Sequence, residues 1–238
     1  MLFATCKTAG MRVLDLFSGA GGAAMGLHRA WPDAEIIGVD NRPQPRYPFV
    51  FVQGDAMTYP LEGFDFIWAS PPCQHYSTLR KGLWKDREHP DLVEPIRKRL
   101  LASGAEFVIE NVMGAPMRNA VMLCGTMFNL GARNAELRRH RLFETSRCLG
   151  LVPSCAHGVR GVKVPTIGKD GSERYWPATI EVYGNGGGSS RRDKRQMFPH
   201  ADRAAAMGID WMNGKELSQA IPPAYSEYIA RQFTAQHT

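Results

Sequence analysis

This sequence predicts a doubly wound α/β core followed by a small loop-rich lobe, and three observations lead there. Short β-branched runs alternate with helical stretches through the first two thirds of the chain, the pattern of a parallel sheet covered by helices. A glycine-rich turn directly follows the first such run. From about Thr145 the alternation weakens, and Gly, Pro, Ser and Arg accumulate through Gly184 to Arg195. A length of 238 residues suits one sizeable core and a small accessory lobe.

The strands are predicted at Arg12 to Leu16, Glu35 to Val39, Phe49 to Val52, Phe64 to Ala69 and Glu106 to Ile109, each rich in Val, Ile or Phe between polar or Gly residues. A helix over Ala23 to Ala30 follows the first turn. The clearest helix is Asp91 to Ser103, where Leu92, Val93, Ile96, Leu100 and Leu101 form an apolar stripe and Arg97, Lys98 and Arg99 face water. Order returns at Asp202 to Met207 and at Asn213 to Gln219, where Asn213 and Glu216 have the spacing of a capping box. Pro222-Pro223 precedes a last helix, Ala224 to Phe233. The expected organisation is a core over 1–144, a lobe over 145–199 and C-terminal helices over 200–238 that return to the core.

The composition, 44% hydrophobic and 22% charged, is that of a globular protein, and no apolar run approaches the roughly 18 residues of a membrane span. The first ten residues do not read as a signal peptide, and Met11 is an alternative start. Five scattered cysteines suggest a reducing cytoplasm rather than a disulfide framework. The net charge is +6, with basic residues bunched at Arg80 to Arg87, Arg138 to Arg141 and Arg191 to Arg195. Clustered cations suit either a polyphosphate partner or a solvated basic surface.

Asp15-Leu16-Phe17-Ser18-Gly19-Ala20-Gly21-Gly22 joins the first strand to its helix, and glycines there let the backbone turn sharply and approach a ligand. Asp40 closes the second strand, where a carboxylate can accept hydrogen bonds from ribose hydroxyls, and Asp55 follows the third. These loops lie at the carboxyl ends of successive strands, where open α/β sheets bind ligands. The fourth strand leads into Ser70-Pro71-Pro72-Cys73-Gln74, and two prolines fix the backbone just before a thiol. The fifth ends in Glu110-Asn111-Val112. A thiol and a carboxyl group on one rim suit covalent catalysis.

In this order, and with Arg139-His140-Arg141-Leu142-Phe143 and Ala220-Ile221-Pro222-Pro223 further on, the chain resembles the cytosine-5 DNA methyltransferases over roughly three quarters of its length. The resemblance implies a Rossmann-like core that takes S-adenosylmethionine and a compact target-recognition lobe. It implies a cofactor pocket of Phe17, Ser18, Gly19, Gly21, Gly22, Asp40, Asn41, Asp55, Ala56, Pro72, Gln219 and Ala220. Cys73 would be the nucleophile, Glu110 the cytosine-binding carboxyl group, and Arg139 and Arg141 cations beside the target nucleotide. The implied partner is double-stranded DNA, with a cognate restriction enzyme as a further partner, for a monomer acting in a bacterial or phage-infected cytoplasm. Arg80, Lys81, Lys85 and Arg87 would grip phosphates from a loop.

The chain departs from the family pattern at Leu137, where Gln is usual, and at Ser218-Gln219, where Gly-Asn is common. Two alternative readings are a transfer-RNA cytosine-5 methyltransferase of the same fold and a non-catalytic DNA-binding member of the fold. A lobe of fewer than about 60 residues has few elements to reach base edges, so a short or degenerate target is expected. Cys148, Cys155 and His157 lack a fourth ligand and regular spacing, so no metal site is expected.

Overall fold

The computed structural model describes residues 10–76, 90–158, 163–167, 172–177, 179–183 and 198–235. The basic runs at Arg80 to Arg87 and Arg191 to Arg195 lie outside them. Five strands run in parallel: β1 (Arg12–Leu16), β2 (Glu35–Asp40), β3 (Val50–Gln53), β4 (Phe66–Ala69) and β5 (Glu106–Asn111). Further along lie β6 (Val121–Leu123), the short pair β7 (Gly131–Ala132) and β8 (Ala135–Glu136), and β9 (Arg141–Thr145). Strand β9 inserts antiparallel between β5 and β6, so the main sheet runs β3-β2-β1-β4-β5-β9-β6. The order reverses between β1 and β4, and such a switch point opens a crevice at the carboxyl ends of the strands.

The first two helices are α1 (Gly22–Ala30) and α2 (Val93–Ser103). The chain closes with α3 (His200–Met207), α4 (Gly214–Gln219) and α5 (Pro223–Ala235). Two apolar layers flank the sheet. Val13, Phe66, Trp68, Val108 and Phe143 face α1 and α5, whereas Leu14, Leu16, Ile67 and Ile109 face Ile96 and Leu100 of α2. A Cβ at Gly26 would come within 2.0 Å of the Pro223 carbonyl oxygen, so glycine is what lets α5 lie against α1. The Ser226 hydroxyl donates to the Ala23 carbonyl at 2.8 Å across the same seam. The Asn213 side chain accepts from the Lys215 and Glu216 amides, and the Glu216 carboxylate accepts from the Asn213 amide, so the expected capping box forms.

Expectations for α2 need correction at Leu101, at Arg97 and at Arg99, which is half-buried. Leu101 is 59% exposed, because the stripe of Val93, Ile96 and Leu100 alone meets the sheet. Arg97 is buried rather than solvated: its guanidinium donates to both oxygens of Glu144 on β9, at 2.6 and 2.7 Å, and to the Pro116 carbonyl. A bidentate partner across the sheet makes that burial tolerable.

Further along, β10 (Lys163–Ile167) and β11 (Glu173–Pro177) pair antiparallel as a separate two-stranded sheet. Beyond it, Ile180 and Val182 are buried with Leu137, Met207 and Leu217 in a third apolar cluster, which joins this segment to the C-terminal helices. Among the described residues, no helix is long and apolar enough to cross a membrane.

Candidate functional site

The turn after β1 carries unusual backbone. Phe17, Gly19 and Gly21 all have positive φ, at 56°, 48° and 83°. Gly21 also has Pro48 against it, 2.6 Å from where a Cβ would stand, and a Cβ on Gly22 would meet the Ile221 carbonyl oxygen at the same distance. Gly19 differs: a Cβ there would meet nothing within 4 Å, so this turn borders open space. The Gly19 amide donates to Asp40 Oδ2 at 3.0 Å, and Asp40 Oδ1 accepts from the Arg42 amide at 2.9 Å. Asp40 therefore links the first two loops of the crevice. Ser18 is buried, and its backbone amide donates to the Val39 carbonyl at 3.1 Å.

Asp55 accepts from the Met57 amide at 2.9 Å, and exposed Asn41 accepts from Gln53. Ala56 is buried in the same cluster against which Phe17 packs. Arg99, a positioning residue expected to face water, donates to the Ala56 and Tyr59 carbonyls at 2.8 and 2.6 Å and holds this loop to α2. From the far end of the chain, the Trp211 indole donates to the Ala20 carbonyl at 2.8 Å, and Ala220 lies beside Gly22. Gln219, next to it, is exposed. The expected pocket residues of the first three loops and of the 219–220 segment thus share one edge of the sheet.

Asp15 lies inside β1, beneath this loop edge. It is buried and accepts from the Tyr47 hydroxyl at 3.1 Å, in space that Gly38 leaves open. Burial, together with the nearby Asp40 charge, pushes its carboxyl pKa well above the usual 3.8.

Strands β4 and β5 bring the thiol and the carboxyl group together. The buried Asn111 amide donates to the Pro71 carbonyl at 3.0 Å, while its Oδ1 accepts from the Val112 amide at 2.9 Å. This side chain fastens the Pro71-Pro72-Cys73 segment to the end of β5. Cys73 is partly buried and turns into Tyr76, whose amide donates to the Cys73 carbonyl. Burial raises the thiol pKa, the Glu110 carboxylate raises it further, and Arg141 and Arg139 oppose both. Glu110 is itself buried, and burial lifts its carboxyl pKa against the pull of Arg141, Arg139 and Ser70.

The two arginines differ in their engagement. Arg141 Nε lies 3.1 Å from Glu110 Oε1, and the Arg141 side chain is 19% exposed at the rim. Arg139 is buried, and it donates to the carbonyls of Val182 and of Ser218 near the end of α4. The Tyr225 hydroxyl donates to its backbone carbonyl at 2.6 Å. Burial and the neighbouring Arg141 lower the Arg139 pKa to about 9. Arg139 thus braces three parts of the chain besides contributing charge near Cys73. Leu137 is fully enclosed by the third apolar cluster, an environment that suits a hydrocarbon side chain and offers nothing to a polar one.

A second constellation lies behind the Arg139-His140-Arg141 segment. Cys124, His140, Cys155 and His157 bring their ligand atoms within 4.8 Å of one another. Cys148 is not in this group. Cys124 and His140, from distant parts of the chain, thus stand beside Cys155 and His157.

No protein-family model and no curated protein sequence matches this chain. Among solved structures, the Entamoeba histolytica methyltransferase EhMeth superposes on 96% of this chain and 99% of its own, with a TM-score of 0.52 and 13% identity. Phosphoethanolamine N-methyltransferase 2 of Haemonchus contortus, solved in complex with S-adenosyl-L-methionine, overlaps 43% of this chain at a TM-score of 0.31 and 18% identity. This chain spans only 24% of that protein. The 16S rRNA methyltransferase KamB overlaps 58% of this chain and 89% of its own, at 0.33 and 14%. The full-length superposition shows that this chain has the mixed α/β, mostly parallel Rossmann-like fold of methyltransferases.

Proposed function

We propose that this protein is a DNA cytosine-5 methyltransferase in which Cys73 is the nucleophile and S-adenosylmethionine the methyl donor. The observation that carries this reading is the convergence of Cys73, Glu110 and Arg141 at the ends of β4, β5 and β9, beside a crevice floored by the glycine turn. The open space at Gly19 and the carboxylates of Asp40 and Asp55 fit a nucleoside, for which Asp40 would accept from ribose hydroxyls and Asp55 from an adenine amino group. When bound there, S-adenosylmethionine supplies an electrophilic methyl group.

The chain's own residues supply the rest. A cytosine flipped from the duplex, at a cost of a few kcal/mol, presents carbon 6 to the Cys73 sulfur. Addition of the thiolate breaks the 5,6 double bond and raises electron density at carbon 5, the atom that accepts the methyl group. Glu110, whose raised pKa suits it to hold a proton, hydrogen bonds to N3 and the exocyclic amine as charge builds on the ring. The charges of Arg141 and Arg139 favour the thiolate and oppose the effects of burial and of Glu110. Loss of the carbon 5 proton to water then expels the thiolate and restores the ring.

The test is to supply S-adenosylmethionine labelled in its methyl group with duplex DNA or transfer RNA and to identify the labelled nucleoside by mass spectrometry. The expected product is 5-methyl-2′-deoxycytidine from duplex DNA. Label confined to transfer RNA, or carried on a nitrogen of the base, would overturn the assignment. Bisulfite sequencing of DNA from expressing cells would then read the target, for which we propose a short or degenerate sequence.

A further inference from the structure

We propose that Cys124, His140, Cys155 and His157 form a structural zinc site that locks the Arg139-His140-Arg141 segment in position. The four ligand atoms are mutually within 4.8 Å, with Cys124 Sγ 3.3 Å from His157 Nε2 and Cys155 Sγ 3.6 Å from His140 Nε2. A tetrahedral zinc bound through two sulfurs and two nitrogens has ligand-to-ligand edges of roughly 3.3 to 3.8 Å. The two imidazole rings meet edge to face, 5.1 Å apart at 73°, so both can aim a nitrogen at one point without stacking. Two thiolates and two imidazoles suit zinc in preference to magnesium or calcium. Four protein ligands leave no open position, which makes the site structural rather than catalytic.

The ligands come from three separate stretches. Cys124 directly follows β6 and caps a 3-10 turn, His140 immediately precedes β9, and Cys155 and His157 sit in the irregular segment beyond it. That segment is already anchored. The Ala156 amide donates to Thr126 Oγ1 at 3.3 Å, and the Gly158 amide reaches both carboxylate oxygens of buried Glu136 at 3.1 and 3.0 Å. On binding, the two thiols release their protons to solvent, and the thiolates neutralise the dication. The site then adds no net charge beside Arg139 and Arg141 while tying their strand to the start of the lobe.

The test uses the full chain, purified without a histidine tag from zinc-supplemented cells. Mass spectrometry of bound metal should find one zinc per chain. Cys148→Ser should retain it, and Cys155→Ser combined with His157→Ala should lower it by more than about tenfold. Should that double variant fail to fold, the wild type still decides the matter: cobalt exchange should give the visible spectrum of a tetrahedral ion with two thiolates. Less than a tenth of a zinc per chain with no such spectrum would overturn the proposal. A Cys124–Cys155 disulfide in non-reducing peptide maps, or full metal retention by a folded double variant, would do the same.

Discussion

Replacing Asn111 by Ala tests whether the distance between thiol and carboxyl group is set by one buried side chain. The substitution removes the bond from Asn111 Nδ2 to the Pro71 carbonyl and the one from the Val112 amide to Asn111 Oδ1. An orphaned buried polar group costs about 1 to 3 kcal/mol. Pro71 is buried while Val112 is partly exposed, so water can rescue the amide more readily than the carbonyl. The expected loss is therefore about 2 to 4 kcal/mol in urea unfolding, which a domain of ordinary stability survives. The effect on catalysis should be larger, because a shift of about 1 Å in a reacting group can cost about 100-fold. Turnover should fall by that order while the KM for DNA stays nearly constant. Asn111→Asp keeps the acceptor for Val112 but loses the donor to Pro71 and adds a charge near Glu110, so it should rescue nothing. Stability within about 0.5 kcal/mol of wild type together with unchanged turnover would refute the positioning role.

Three further outcomes follow from the same contacts. Arg97→Met should cost about 3 to 5 kcal/mol in denaturant unfolding, because it strands the buried Glu144 carboxylate without its bidentate partner. Asp40→Ala should weaken S-adenosylmethionine binding by about 1 to 3 kcal/mol in calorimetry, and unchanged affinity would remove Asp40 from the pocket. Asp15 holds a proton in the folded chain that the unfolded chain releases above its usual pKa of 3.8, so the folded state binds more protons and stability falls as pH rises through the window above that value. The slope approaches about 1.4 kcal/mol per pH unit for one such group, and comparing unfolding curves of wild type and Asp15→Asn should show it only in the wild type.

Much of this architecture was legible because it is written in local pattern. The five parallel strands and the capping box at Asn213 depend on periodicity and on residues three positions apart, which one stretch of sequence contains. The glycine turn, the thiol and the carboxyl group were legible for a related reason: each ends a strand, and the topology brings strand ends to one edge. What sequence could not reveal are partners distant along the chain. Arg97 reads as solvated until Glu144, 47 residues away, is folded against it. Arg139 reads as a free cation, yet it is committed to carbonyls 43 and 79 residues downstream. Strand β9 was hidden behind its own motif, since only the last residue of Arg139-His140-Arg141 belongs to it and its pairing depends on β5 on one side and β6 on the other, both distant in sequence. The Cys155-x-His157 pair remained two ligands in search of others for the same reason.

The central claim is that Cys73 attacks carbon 6 of a cytosine in DNA, and the most direct measurement is covalent trapping. Duplex DNA carrying 5-fluorocytosine at the methylated position lacks the carbon 5 proton whose departure frees the thiolate, so the adduct should persist through denaturing electrophoresis when S-adenosylmethionine is present. Peptide mapping should find the nucleotide on Cys73, and Cys73→Ala should form no adduct while retaining cofactor affinity. An adduct mapped to Cys124 or Cys155, or methylated fluorocytosine DNA released without any protein-bound species, would contradict the account.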